Sequence, residues 1–159
     1  IVNNVTNEVK GQNADMTTTS ITLNNTILNQ DGEYKWRVKA KNTTSETPYS
    51  SRILYLDKVL PNQPTNQLPA NNSIQIVNQQ LNFSWSIPSD SGTVQSPITY
   101  TIEFSNTVSF SSILESSNVT SNTYQQSFSS AGDYYWRVKA KDKAGNIGIS
   151  SSPFKFTIN

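Results

Sequence analysis

The stretch Gly32-Glu33-Tyr34-Lys35-Trp36-Arg37-Val38-Lys39-Ala40-Lys41 returns one hundred residues later as Gly132-Asp133-Tyr134-Tyr135-Trp136-Arg137-Val138-Lys139-Ala140-Lys141. A period of that length exceeds a solenoid unit and matches one small domain, so the chain reads as a tandem array of similar modules. With 159 residues it has room for one or two domains, each small enough that core burial only narrowly outweighs conformational entropy. In the second copy Tyr134, Trp136, Val138 and Ala140 fall on one alternating phase, and Tyr135, Arg137, Lys139 and Lys141 on the other. That alternation marks a half-buried strand with its aromatic phase inward.

The same alternation recurs along the chain, and a helical period does not. Leu81, Phe83, Trp85 and Ile87 alternate with Asn82, Ser84 and Ser86, and Ile98, Tyr100, Ile102 and Phe104 alternate with Thr99, Thr101, Glu103 and Ser105. Phe154, Phe156 and Ile158 form a closing strand after the Gly145-Asn146 turn signal and the Ser150-Ser151-Ser152-Pro153 stretch. Shorter candidates are Ile74 to Val77, Ile113 to Ser116 and Asn122 to Phe128. Seven short strands within about ninety residues predict an antiparallel β-sandwich. Its two inward faces would seat Trp85, Tyr100, Ile102, Trp136 and Val138 against one another.

Composition removes several classes of partner. Charged residues make up 14% of the chain, against roughly 25% in ordinary soluble proteins, and Asn, Ser, Thr and Gln supply the polar surface instead. Such a surface suits an extracellular coat. The net charge of +1 provides no field to steer nucleic acid or an anionic membrane, so no nucleic-acid partner is expected. The lack of cysteine excludes disulfides, thiolate metal sites and cysteine nucleophiles. No run approaches the ~20 apolar residues of a membrane span. Ile1 opens no signal peptide, and the chain is read as an excised or mature piece.

Three segments carry a family likeness. LNFSWSIPSD at 81–90 is a tryptophan strand followed by a proline loop, ITYTIEFS at 98–105 is the next strand, and Phe128 precedes the corner Ser129-Ser130-Ala131-Gly132-Asp133 and then Tyr134. In this order and spacing they resemble the fibronectin type III family, particularly its bacterial surface versions. The resemblance implies that the hydroxyl of Tyr134, and of Tyr34 in the repeat, bonds back to the loop before it. Phe128 and Leu28 stand where the family has leucine, and the family's corner proline is missing from both copies. The likeness covers 64–159 as a complete module and 1–57 as a partial one; an immunoglobulin-like sandwich of another topology is the competing fold.

The domain reading is a partial module at 1–57, a short Pro-containing linker at 58–66 and a complete module at 67–159. An even offset places Ile1 opposite Thr101, within the third strand, so the first module is expected to lack its opening strands. About four strands are expected there, with Ile21, Leu23, Leu28, Tyr34, Trp36, Val38, Leu54 and Leu56 facing a missing half-core. Trp36, Val38 and Leu54 are accordingly expected to be exposed. A longer parent chain, strands donated by a neighbouring molecule, and a degenerate short module all remain open as explanations. The offset sets Asn24 opposite Tyr124, which predicts a register difference in the strand before the corner. Pro61 and Pro64 are expected to stiffen the joint, with Val59 and Leu60 buried at it.

Catalytic chemistry finds few materials. Histidine is absent, and the eleven acidic residues are scattered. Glu103, Glu115 and Asp133 could supply a glycosidase-type pair, but small sandwiches rarely offer a cleft that excludes water from it. No enzyme, cofactor or metal site is expected. A calcium clamp at the joint would need oxygens converging near Asp57, Asp90 or Asp142, and no DxD-like cluster supports one. The binding candidates are the basic ladder Arg137, Lys139 and Lys141 with the outward Tyr135, set against the plainer expectation that these residues pair with strand neighbours such as Glu103. The sequons, among them Asn4-Val5-Thr6 and Asn118-Val119-Thr120, are expected by chance in a chain this rich in Asn, Ser and Thr.

The sequence thus reads as an all-β, tandem array of fibronectin type III or immunoglobulin-like sandwiches, extracellular or at the cell surface. A non-enzymatic structural or adhesion module, acting as spacer or protein-contact segment of a larger bacterial surface adhesin, filament or secreted protein, fits best. Its partners would be other modules of the same or neighbouring chains, or cell-surface glycans. The alternative is an accessory region of a secreted polysaccharide-degrading enzyme.

Overall fold

The computed structural model describes residues 1–159, which form strands and turns with no helix. The chain separates into two compact units, Ile1–Val59 with Gly92–Gln95, and Leu60–Ser91 with Ser96–Asn159.

The first unit holds one antiparallel sheet of three strands, β1 (Val2–Asn3), β2 (Gly32–Val38) and β3 (Ser50–Leu56), in that order. Tyr34 is fully buried, and its hydroxyl donates to the Gln30 carbonyl at 2.8 Å. The next inward positions are open: Trp36, Val38 and Leu54 are 40%, 53% and 37% exposed, as expected from the sequence. Two expectations are corrected here. No strand forms between Ile21 and Leu28, because Asn24 closes a local turn instead. Its side chain accepts from the Thr26 N–H at 3.2 Å and its carbonyl accepts from the Ile27 N–H at 3.1 Å; such side-chain capture competes with a ladder. The even offset also fails at the start: Val2 sits beside Lys35 where Ser105 sits beside Tyr135, so the first strand is displaced along its neighbour. Asp31 collects the backbone N–H groups of Thr93, Val94 and Lys58. Burial pushes its carboxyl up, and these donors outweigh that and hold it below the ordinary value.

The second unit is a sandwich. Its strands are β4 (Asn66–Leu68), β5 (Ser73–Gln75), β6 (Gln80–Trp85), β7 (Thr99–Ser105), β8 (Glu115–Val119), β9 (Thr123–Ser127), β10 (Gly132–Lys141) and β11 (Phe154–Ile158). One sheet runs β5-β11-β10-β7-β8 and the other β4-β6-β9. Between them lie Trp85, Tyr100, Ile102, Trp136 and Val138, the predicted core, together with Leu81, Phe83, Phe104, Phe128, Tyr134, Ala140, Phe156 and Ile158. Phe83 is the hub: its ring meets Phe104, Trp136 and Phe156 edge-on at centroid distances of 4.9, 5.2 and 5.6 Å, the arrangement aromatic quadrupoles favour. Asn66 ties the sheets together, its amide donating to the carbonyls of Trp136 at 3.3 Å and Ser152 at 3.2 Å.

The corner forms as the resemblance implied. Gly132, at φ 144°, turns the chain into β10, and the Tyr134 hydroxyl donates to the Ser130 carbonyl at 3.0 Å. Four details differ from the sequence reading. β4 was not foreseen, being short and polar. β5 pairs with β11 in parallel, so the sandwich is not wholly antiparallel. Ile87 lies beyond β6 and is 72% exposed, since Pro88 biases it toward a turn or extended exit. Leu60 is 49% exposed and Val59 half-buried, so the apolar pair of the linker is not buried as a pair.

Candidate functional site

The outward face of β10 and its neighbours carries the candidates Tyr135, Arg137, Lys139 and Lys141. Register places Arg137 beside Glu103 and Lys139 beside Thr101 on β7. Glu103 reaches both cations: Oε2 accepts from Arg137 Nε and Oε1 from Lys139 Nζ, each at 2.7 Å. Glu103 is only 8% exposed. Burial pushes its carboxyl up, but Lys139 and Arg137 outweigh that and hold it below the ordinary carboxylate value. The Arg137 guanidinium also lies over the Phe110 ring, 4.1 Å from its centroid.

Tyr135 and Lys141 stay outside this group. Tyr135 is half-buried between Ser105 and Lys155, its register neighbours. Lys155 donates to Asp133 Oδ2 at 2.8 Å, and Thr157 donates to Asp133 Oδ1 at 2.7 Å. The Lys155 bond holds the Asp133 carboxyl below its ordinary value. Lys141 is exposed at the strand end, its carbonyl accepting from Thr99 Oγ1 at 3.2 Å. Sequence reading missed Phe110, which sits in the loop after β7 and lies far from Arg137 along the chain. Its positive φ of 53° is uncommon for a bulky residue and has no sequence signature.

This arrangement disfavours acid–base work by the carboxylates considered above. A glycosidase acid needs a raised pKa. Glu103 and Asp133 are both lowered. Glu115 is occupied elsewhere, accepting from Tyr124 Oη at 3.0 Å and from Gln126 Nε2 at 2.7 Å. On this face Glu103 is shared by Arg137 and Lys139, Asp133 holds Lys155, and Lys141 is exposed, so four cations stand against two carboxylates.

Two packed sheets, a tyrosine corner and a Trp–Phe core define an immunoglobulin or fibronectin type III-like module. The family profile of the Rha78A-like, N-terminal immunoglobulin domain matches residues 66–158, and the chain belongs to that family. No curated protein matches the chain significantly in sequence. Among solved structures, it is similar to the fibronectin(III)-like modules of Clostridium thermocellum CbhA, at 17% identity, a TM-score of 0.43, and coverage of 60% of this chain and 93% of that one. It is also similar to the PKD domain of an M14-like peptidase from a Thermoplasmatales archaeon, at 20% identity, a TM-score of 0.43, and coverage of 62% and 94%. The fibronectin type-III domain of human fibronectin type III domain containing protein 3 gives 21% identity, a TM-score of 0.48, and coverage of 65% and 90%. Modules of this class are typically non-catalytic.

Proposed function

We propose that the chain is a non-catalytic extracellular module, a spacer or protein-contact segment of a larger bacterial surface adhesin or filament. The observation that supports this best is the pairing of charges on the outward face: Glu103 takes both Arg137 and Lys139, leaving Tyr135 beside another ion pair. Arg137, Lys139 and Lys155 are already engaged by carboxylates of the protein, so of this row only Lys141 is exposed without a carboxylate partner to meet an anionic glycan. Affinity electrophoresis of the chain through gels of neutral and acidic polysaccharides should show no retardation. Retardation that Tyr135→Ala or Arg137→Ala removes would replace the spacer reading with glycan binding.

A second reading has one specific support, the family itself, whose namesake Rha78A is glycosidase-related. In that case the chain would be an accessory region of a secreted polysaccharide-degrading enzyme. A catalytic domain in the parent open reading frame would favour it, and a long series of further sandwich repeats would favour the adhesin or filament.

A further inference from the structure

Asp90, in the loop after β6, and Asp142, in the turn after β10, are brought together by the sandwich. Both are more than nine-tenths buried, at 7% and 3% exposure. A carboxylate oxygen of one lies within 4.8 Å of a carboxylate oxygen of the other, and neither residue forms an ion pair with a lysine or arginine. Asp142 accepts hydrogen bonds at both of its carboxylate oxygens. Its Oδ1 takes the N–H groups of Gly145 at 2.7 Å and Asn146 at 2.8 Å, and its Oδ2 takes Asn146 Nδ2 at 2.7 Å. Gly145, at φ 101°, permits the turn that aims these donors. Asp90 Oδ2 takes the Ser96 N–H at 2.6 Å, while Asp90 Oδ1 is fully buried and has no hydrogen-bonding partner in the protein.

Two desolvated like charges at this distance repel, and a carboxylate oxygen buried without a hydrogen-bonding partner is unfavourable. Ser96 fixes their separation, since its N–H holds Asp90 and its Oγ accepts from the Lys143 N–H at 2.9 Å, in the turn that carries Asp142. The loops are therefore braced in a geometry that a cation would relieve. We propose that Asp90 and Asp142 are ligands of a hard divalent cation, calcium by their chemistry. Carboxylate oxygens are hard donors with no nitrogen or sulfur among them, which favours calcium over zinc or copper. Oxygens about 2.3–2.6 Å from a common ion can stand up to about 5 Å apart, which accommodates the separation here. With two protein carboxylates, affinity should fall in the weak range of extracellular modules, about 10⁻⁴–10⁻³ M.

The test uses the whole chain, stripped with EGTA and titrated at pH 7 with calcium chloride, then with magnesium chloride. Calorimetry should find one calcium per chain, and Tm should climb with calcium in the manner of mass action. Asp90→Asn keeps an acceptor for the Ser96 N–H and removes one repelling charge. It should leave the metal-free protein folded with an equal or higher Tm and abolish the calcium-dependent rise. Asp142→Asn serves as the second variant, with circular dichroism confirming that its turn still folds. No calcium-dependent rise in the wild type up to about ten times the expected dissociation constant would overturn the site. So would an equal rise in Asp90→Asn, or a pair that gains stability only on acidification, which would mean that a shared proton resolves the repulsion.

Discussion

Two strands of nearly the same sequence end in opposite surroundings. In β10, Trp136 and Val138 are fully buried, whereas in β2 their counterparts Trp36 and Val38 are 40% and 53% exposed. The alternation that decides which residues share a face is the same in both. The difference lies in what opposes that face: the β4-β6-β9 sheet brings Phe83 edge-on to Trp136 of β10, whereas the first unit has a single sheet. The corner tyrosines make the complementary point. Tyr34 and Tyr134 are both buried, and each hydroxyl finds the carbonyl four residues earlier, a partner that travels with the local sequence. The corner, with its buried tyrosine, thus copies with the repeat, whereas the burial of Trp136 and Val138 is not copied at Trp36 and Val38, where no second sheet stands opposite.

Truncating the two tryptophans should give the largest difference between the units. Trp136→Ala removes a fully buried ring that packs edge-on against Phe83 and Phe154, and should cost roughly 3–5 kcal/mol in urea unfolding of the whole chain. Trp36→Ala should cost less than about 1 kcal/mol, as exposed sites do. Equal costs would show that the β2 face is covered in solution by something beyond its own unit.

The charged face offers the next contrast. In β10 Arg137 stacks on Phe110 and bonds Glu103, while in β2 Arg37 lies over the Tyr49 ring, 4.2 Å from its centroid. Glu103→Gln leaves two cations facing a neutral acceptor in a largely buried setting, with an expected loss of about 1–3 kcal/mol at pH 7. Because the folded-state pKa of Glu103 is lowered, its stabilisation is present above the unfolded-state value and is lost as pH falls through the folded one. The difference between wild type and variant should therefore shrink below about pH 4. A gap that stays constant down to pH 2 would mean that the charge of Glu103 contributes nothing.

Legibility in the sequence followed the range of each interaction. β6, β7, β10 and β11 were readable because alternation is a local property, and Trp85, Ile102 and Trp136 follow from it. β4 and the parallel pairing of β5 were not, since Asn66-Gln67-Leu68 and Ser73-Ile74-Gln75 carry too few apolar residues to show a period. The turn at Asn24 won over a strand through its own side chain, a competition that periodicity does not register. The candidate face was legible as a row of cations, and its centre at Glu103 could be named from the adjacent strand. Phe110 beneath Arg137, and the meeting of Asp90 with Asp142, depend on loop paths and had no local signal. DxD-like spacing registers only carboxylates close in sequence, and Asp90 and Asp142 come from distant turns.

The corner bonds give a smaller effect, and one in which the two units should agree. Tyr34→Phe and Tyr134→Phe each remove one hydrogen bond to a backbone carbonyl and should each cost about 0.5–1.5 kcal/mol. A marked inequality would show that the corner depends on the opposing sheet after all. Unfolding of both variants followed by hydrogen exchange at the amides after Gly32 and Gly132 resolves the units separately.

The smallest expected effect is the most discriminating test of the exposed face. Lys39 and Lys139 are repeat equivalents, each bonded to a glutamate, Glu46 and Glu103 respectively. Glu46 raises the Lys39 pKa, but the Glu46 side chain is 58% exposed and water screens the pair. Glu103, with a side chain 11% exposed, has no such screening and depends on its two protein donors. Lys39→Ala should therefore leave the unfolding midpoint unchanged within error, and any residual shift should vanish by about 1 M salt, where the Debye length is about 3 Å. Lys139→Ala should produce a measurable loss that persists in salt, smaller than that of Glu103→Gln because Arg137 remains. If both lysine variants respond alike to salt, Glu103 is solvated in the folded protein, and the charged faces of the two units are equivalent despite their different burial.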